Sequence, residues 1–214
     1  MNISQELIEH YCETHTSRIN PLLAELIEYT ESNHTGAGML TGAFQGIFLS
    51  MLSRTIQPKN ILEIGTYTGF SALCMTEGLQ AEGRLYTFEI NPKLKATHDQ
   101  FIRNHPKGSQ IEIIYGDANV LLPEMDIIFD LVYIDGTKKD YAFLLETALE
   151  KLSPHGSILV DNVLWKGKVL STEEIQKDKN TAILALFNSS VAADPRFTKI
   201  MLPIRDGLYW IMKN

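Results

Sequence analysis

Four short apolar runs in this chain each end on a carboxylate: Ile61-Leu62-Glu63, Leu85 to Glu89, Leu131 to Asp135, and Ile158 to Asp161-Asn162. A strand covered on both faces reads as an unbroken apolar run, whereas a strand with one wet face alternates. Segments of helical length separate the runs, so strand and helix alternate. That order predicts a doubly wound, mostly parallel sheet with right-handed crossovers. In such open sheets the ligand lies beyond the carboxyl ends of the strands. Acids gathered along that edge predict a site for hydroxyls, ammonium groups or a cation.

Strands are expected near 61–65, 85–90, 111–115, 130–135 and 157–161, and helices over 69–80, 92–104, 118–125 and 140–152. Lys199 to Leu202 and Leu208 to Met212 flank a turn with Asp206-Gly207, a hairpin signal that adds an antiparallel pair for seven strands in all. Residues 1–34 read as helices: Leu7, Ile8 and Tyr11 share a face, and Leu22, Leu23, Leu26 and Ile27 repeat at helical spacing after Pro21. A further helix over Phe44 to Leu52 stops before Pro58. The expectation is one domain over 1–214, with N-terminal helices and cap at 1–52 and an α/β core at 58–214.

The 214 residues carry a net charge of −7, with no basic stripe of the kind a duplex binder shows, so nucleic acid is not an expected partner. No run of about 18 apolar residues predicts a membrane span. Met1 to Glu6 lacks a basic n-region followed by an apolar h-region. Cys12 and Cys74 stand far apart, as free thiols in a reducing compartment would. These features point to small-molecule chemistry in the cytoplasm.

Glu63-Ile64-Gly65-Thr66-Tyr67-Thr68-Gly69-Phe70-Ser71 runs from a strand through a glycine turn into a helix. Its G-x-x-x-G spacing departs from the G-x-G-x-x-G pyrophosphate fingerprint and suits a ligand without phosphates. Glu89 follows Gly69 by 20 residues, at a second strand end, where an acid accepts hydrogen bonds from a ribose diol. Gly116-Asp117-Ala118 follows the third strand, where an acid meets an adenine amino group. Asp135 and the pair Asp161-Asn162 end the fourth and fifth strands. They form an all-oxygen set suited to Mg²⁺, Ca²⁺ or Mn²⁺, or, alternatively, serve as separate helix caps. The six histidines lack ligand spacing and read as surface or packing residues, and Gly42 and Gly46 read as easing helix entry. No nucleophile elbow or Walker-type loop is present.

From Met39 to the C-terminus the chain resembles the cation-dependent O-methyltransferases, which include the catechol and caffeoyl-CoA enzymes. The resemblance rests on Met39-Leu40-Thr41, Leu62 to Ser71, Tyr133-Ile134-Asp135-Gly136-Thr137-Lys138-Lys139-Asp140-Tyr141, Asp161 to Trp165, Asp194-Pro195-Arg196 and Leu202-Pro203. It implies a Rossmann-like methyltransferase fold, S-adenosylmethionine as cofactor and a divalent cation, Mg²⁺ first. It assigns the cation to Asp135, Asp161 and Asn162, and the ribose to Glu89. Met39, Thr41, Glu63, Gly65 and Ser71 go to the methionine portion, Asp117 and Ala118 flank the adenine, and Tyr67 and Asp135 are further implied cofactor-binding residues. Lys138 and Asp135 are the implied catalytic residues, with Lys138 beside the acceptor oxygen.

The implied substrate is a small aromatic with adjacent hydroxyls, catechol-like or caffeoyl-like, and the implied assembly a homodimer. Gln45, Thr137 and Lys166 depart from the family's frequent Glu, Asp and Asn, all around the acceptor. Two mobile segments, His34 to Thr41 and Trp165 to Lys179, are expected to frame that acceptor. Trp165 is a candidate wall, and Ser171-Thr172-Glu173-Glu174 reads as a capping box. Two other readings stand beside this one: an NAD(P)-dependent oxidoreductase on a similar sheet, and a non-catalytic nucleoside-binding protein.

Overall fold

The computed structural model describes residues 5–214; the first four residues of the expected N-terminal helical region lie outside it. Seven strands form one sheet: β1 (Asn60–Ile64), β2 (Arg84–Glu89), β3 (Ile111–Tyr115), β4 (Phe129–Ile134), β5 (Leu152–Asp161), β6 (Phe197–Leu202) and β7 (Leu208–Lys213). Their order is β3-β2-β1-β4-β5-β7-β6. The first five run parallel, and β7 is antiparallel to both β5 and β6, which is the expected closing hairpin. The order reverses between β1 and β4, so the crevice where an open sheet takes its ligand lies between Ile64 and Ile134.

Nine helices flank the sheet among the described residues: α1 (Gln5–Thr14), α2 (Pro21–Asn33), α3 (Gly42–Ile56), α4 (Phe70–Met75), α5 (Lys95–Phe101), α6 (Ala118–Leu121), α7 (Tyr141–Glu150), α8 (Thr172–Lys177) and α9 (Lys179–Ala193). Alternation along β1 divides the core. Leu62 and Ile64 join Val132, Ile158 and Val160 under Leu144 and Leu145 of α7 and Leu184 and Phe187 of α9. Ile61 joins Leu85, Leu131, Tyr133 and Leu159 under Leu26, Leu49, Phe70 and Leu73 of α2, α3 and α4. Glu63 shares parity with Ile61, so it points into that second apolar layer rather than to solvent.

Several elements are shorter than their patterns predict. The expected 69–80 helix is α4 followed by a 3₁₀ turn at Thr76–Gly78. The expected 92–104 helix is a 3₁₀ turn at Pro92–Leu94 followed by α5, and the expected 118–125 helix is the single turn α6. Pro123, two residues beyond α6, lacks the N–H that would continue that helix. Gly42 opens α3 with φ +78, but Gly46 lies well inside that helix. A Cβ at Gly46 would stand 2.7 Å from the Phe70 ring, so this glycine serves close packing of α3 on α4, not helix entry. No described helix is long and apolar enough to cross a membrane.

Candidate active site

The glycine turn meets Asp135 directly at the reversal point. Asp135 donates its backbone N–H to the Ile64 carbonyl (2.9 Å), and Gly65 follows with φ +104. A Cβ on Gly65 would collide with the Asp135 carbonyl oxygen. Only glycine permits both this approach and this backbone angle. The result is a pocket lined by Met39, Thr41, Gly65, Tyr67, Ser71 and Asp135, six of the residues expected to bind the cofactor.

Glu63 lies beneath that floor, fully buried. Ser71 Oγ and Thr87 Oγ1 each donate to its carboxylate at 2.5 Å, and Thr87 is its register partner on β2. Burial raises its pKa to about 8, against the lowering effect of the two hydroxyls and with help from Asp135 and Glu89. At neutral pH this carboxyl is mostly protonated in the protein as it stands.

Tyr67 is the one non-glycine residue of the turn with positive φ, +46. Such a conformation costs an L-residue about 1–3 kcal/mol and persists where its surroundings over-determine it. Both ends of the residue are indeed held. Its N–H donates to Glu89 Oε2 (2.8 Å), and its carbonyl lies 2.5 Å from His98 Nε2. Glu89 also accepts from the Asn91 N–H (2.7 Å); burial pushes its carboxyl up while these donors pull it down. The Tyr67 hydroxyl is buried without a hydrogen-bond partner beside Gly36 and Met39, a polar atom aimed at the pocket wall.

Asp117 and Ala118 stand one strand further out, beyond β3 and outside the pocket. Asp117 caps α6, accepting from the Asn119 N–H at 2.9 Å, while Ala118 is buried at the first position of that helix.

On the other side of Asp135 a polar cluster occupies the ends of β4 and β5. Lys138 Nζ donates to Asn162 Oδ1 (2.5 Å), Tyr141 Oη (2.6 Å) and Asp135 Oδ1 (3.2 Å), so Asp135 and Asn162 converge on one point. Asn162 has φ +59, which turns its side chain back along the sheet edge rather than onward into a helix. Asp161 is buried behind them. Its Oδ2 accepts from Gln45 Nε2 (2.8 Å) and from the Tyr133 hydroxyl, and its Oδ1 from the Asn162 N–H (2.6 Å). Thus two of the three expected cation ligands share a focus, with the third adjacent and facing Gln45. Among the described residues no three His, Cys, Asp or Glu side chains group as metal ligands, so a cation here would need the Asn162 amide. Burial and the neighbouring Asp161 raise Asp135 to about 6, partly offset by Lys138.

Two loops border the cluster. The segment before α3 forms a 3₁₀ turn at Ala37–Met39, and its Leu40 and Thr41 carbonyls accept from Arg205 Nη1. A second 3₁₀ segment, Trp165–Leu170, carries positive φ at Lys166 and Gly167, and its Lys166 N–H donates to Asp206. The β6–β7 turn therefore ties both loops through adjacent residues. Trp165 lies 5.8 Å from Lys138 Nζ by ring centroid and donates Nε1–H to Asp178 (3.3 Å). Ser171 caps α8 as its spacing predicts.

Tyr133, Tyr141, His98 and Arg205 support the site from outside the assigned set, whereas the resemblance alone places Gln45 beside the acceptor. Tyr133 and Tyr141 sit inside apolar runs and count there as core. Arg205 looks like an ordinary turn cation, and His98 like a packing residue on a short helix. For Tyr133, Tyr141, Arg205 and His98 the partners are 28, 20, 164 and 31 residues away, which no local period encodes.

Comparison with known proteins matches a family model described as O-methyltransferase over residues 13–214. The chain is 31% identical to caffeoyl-CoA O-methyltransferase 1 of Eucalyptus globulus over 218 residues, covering 96% of this chain and 87% of that one. It is 29% identical to caffeoyl-CoA O-methyltransferase of Petroselinum crispum over 218 residues, covering 96% and 89%. Among solved structures, the SAH-bound methyltransferase PaMTH1 of Podospora anserina superimposes with TM-score 0.90 at 28% identity, covering 100% of this chain and 98% of that one.

Proposed function

The chain belongs to the O-methyltransferase family and is an S-adenosylmethionine-dependent enzyme; from that premise we propose that it methylates one hydroxyl of a vicinal-dihydroxy aromatic, catechol-like or caffeoyl-like, with the help of a divalent cation. This family membership displaces the oxidoreductase and non-catalytic readings. The observation that carries the proposal is the junction at Asp135, whose backbone closes the glycine turn while its side chain faces Lys138 and Asn162.

The cofactor, when bound, supplies a methyl group on a positively charged sulfur, and the cation would make an adjacent hydroxyl easier to ionise. Asp135 and Asn162 would hold that cation, with Asp161 next to them; all offer oxygen, the donor that Mg²⁺, Mn²⁺ and Ca²⁺ prefer. Lys138 brings a positive charge to the point where a phenolic oxygen would lose its proton. Trp165 flanks that amine and gives an aromatic ring an apolar wall, while the buried Tyr141 holds the amine through its hydroxyl. Glu89 would accept from a ribose, and Asp117 and Ala118 would border the base. In-line transfer depends on alignment, which contributes roughly 7–11 kcal/mol in well-oriented systems, so the rigid strand ends matter more than proton transfer.

The test is incubation with S-adenosylmethionine, Mg²⁺ and a panel of catechols and caffeoyl esters, read by mass spectrometry for one added methyl group. Product should form on vicinal diols, fall with their monohydroxy analogues and be abolished by chelator. Undiminished turnover with chelator would remove the cation from the reading.

The same reading has the enzyme in the cytoplasm as a homodimer formed through sheet-edge surfaces and the N-terminal helices, which expose Tyr11, Leu22 and Met51. Sedimentation equilibrium should return twice the chain mass, and a monomer at micromolar concentration rules this assembly out.

A further inference from the structure

His98 is fully buried on α5 and unused in the chemistry above, yet both its ring nitrogens are engaged. The Tyr67 carbonyl can only accept, so Nε2 carries the hydrogen toward it across 2.5 Å. In the neutral imidazole Nδ1 then accepts from the Tyr115 hydroxyl at 2.7 Å. Tyr67 belongs to the glycine turn, and Tyr115 ends β3 immediately before Gly116-Asp117.

The same helix grips the cradle at two more points. Ile102, in the turn that follows α5, packs its Cδ1 where a Cβ of Gly69 would lie. Thr97 Oγ1 lies 3.2 Å from Nε2 of His34, whose ring meets Tyr67 edge-on at 6.0 Å between centroids. α5 thus touches the loop before α3, the glycine turn and the end of β3.

We propose that His98 is a positioning residue that locks the left-handed Tyr67 between Glu89 and α5 and thereby sets the affinity for S-adenosylmethionine. The inference rests on the glycine turn being the cofactor cradle. Without the imidazole, the part-buried Tyr67 carbonyl loses its donor and the peptide after it is free to turn. That releases the N–H held on Glu89, the acid assigned to the ribose. Acceptor binding and methyl transfer take place on the far side of Asp135, so they should be spared.

The experiment measures SAH dissociation constants by calorimetry, and steady-state constants for both substrates, in wild type, His98→Phe, His98→Gln and Tyr115→Phe. His98→Phe should raise the SAH dissociation constant and the S-adenosylmethionine KM about tenfold, with kcat and the acceptor KM within about twofold. His98→Gln, whose amide can still donate to Tyr67, should return to within about threefold of wild type. Tyr115 lies at the exposed end of β3, so Tyr115→Phe should fold in any case; loss of one ring anchor should weaken SAH about threefold. If His98→Phe fails to fold, Tyr115→Phe with unchanged SAH affinity overturns the inference. It also fails if kcat and both KM values deteriorate together, or if His98→Gln binds SAH no better than folded His98→Phe. Wild type that binds no SAH overturns the cradle as well; wild-type binding matched by folded His98→Phe overturns the positioning role alone.

Discussion

Replacing Glu63 by Gln separates the cost of a buried carboxylate from every other titration in the molecule. Glu63 titrates at about 8 in the native protein against 4.5 when unfolded, because burial outweighs the Ser71 and Thr87 hydrogen bonds. The native state therefore keeps a proton that the unfolded chain releases. Stability from this group is fully present below about pH 4.5 and is lost as pH rises through about 8. At about 1.4 kcal/mol for each pH unit of displacement, the full penalty is on the order of 5 kcal/mol. Between about pH 6.5 and 8.5 the loss is about 2 kcal/mol, which for a chain of this size lowers Tm by about 4–8 °C. The substituted glutamine has the shape of the protonated acid and does not titrate. Its amide can donate toward Thr87, whose hydroxyl lies 2.6 Å from Thr66 Oγ1. Relative to wild type, the variant's Tm should therefore rise by that margin between about pH 6.5 and 8.5. Thermal denaturation of the cofactor-free proteins across this range is the assay. Contributions from His98 and His105 are common to both proteins and cancel in the difference. Parallel Tm profiles for the two proteins would refute the reasoning.

Two further variants rank the groups around the acceptor. Asp135→Ala removes both a side chain facing the Lys138 focus and a lining of the cofactor pocket, and should lower kcat/KM by at least about 10³-fold. Lys138→Ala removes a proton-transfer or charge contribution, typically about 10²–10⁴-fold, and should cost less than Asp135→Ala. Steady-state kinetics at saturating Mg²⁺ decide the order, and a lysine variant worse than the aspartate variant inverts it.

Strand positions and the identity of the edge carrying the site were legible because apolar runs and terminal acids are local signals. Glu63, Glu89, Asp135, Asp161 and Asn162 all fall at or beside strand ends, as their runs predict. Helix limits were less legible, since α5 begins only after a 3₁₀ turn and α6 stops before Pro123, both inside windows that still look periodic. Gly46 illustrates the same limit: its reason for being glycine is the Phe70 ring on another helix.

The pattern along the chain by itself determined which residues could reach the ligand edge, because a two-residue period and a strand terminus suffice to place a side chain there. Which of those residues face one another was decided only in three dimensions. Asp135 and Asn162 meet at Lys138, Asp161 turns instead to Gln45 and Tyr133, and His98 holds Tyr67 from a helix 31 residues away. Burial also gave Glu63 and Asp135 their raised pKa values, for desolvation depends on what covers a carboxyl and not on its neighbours in sequence.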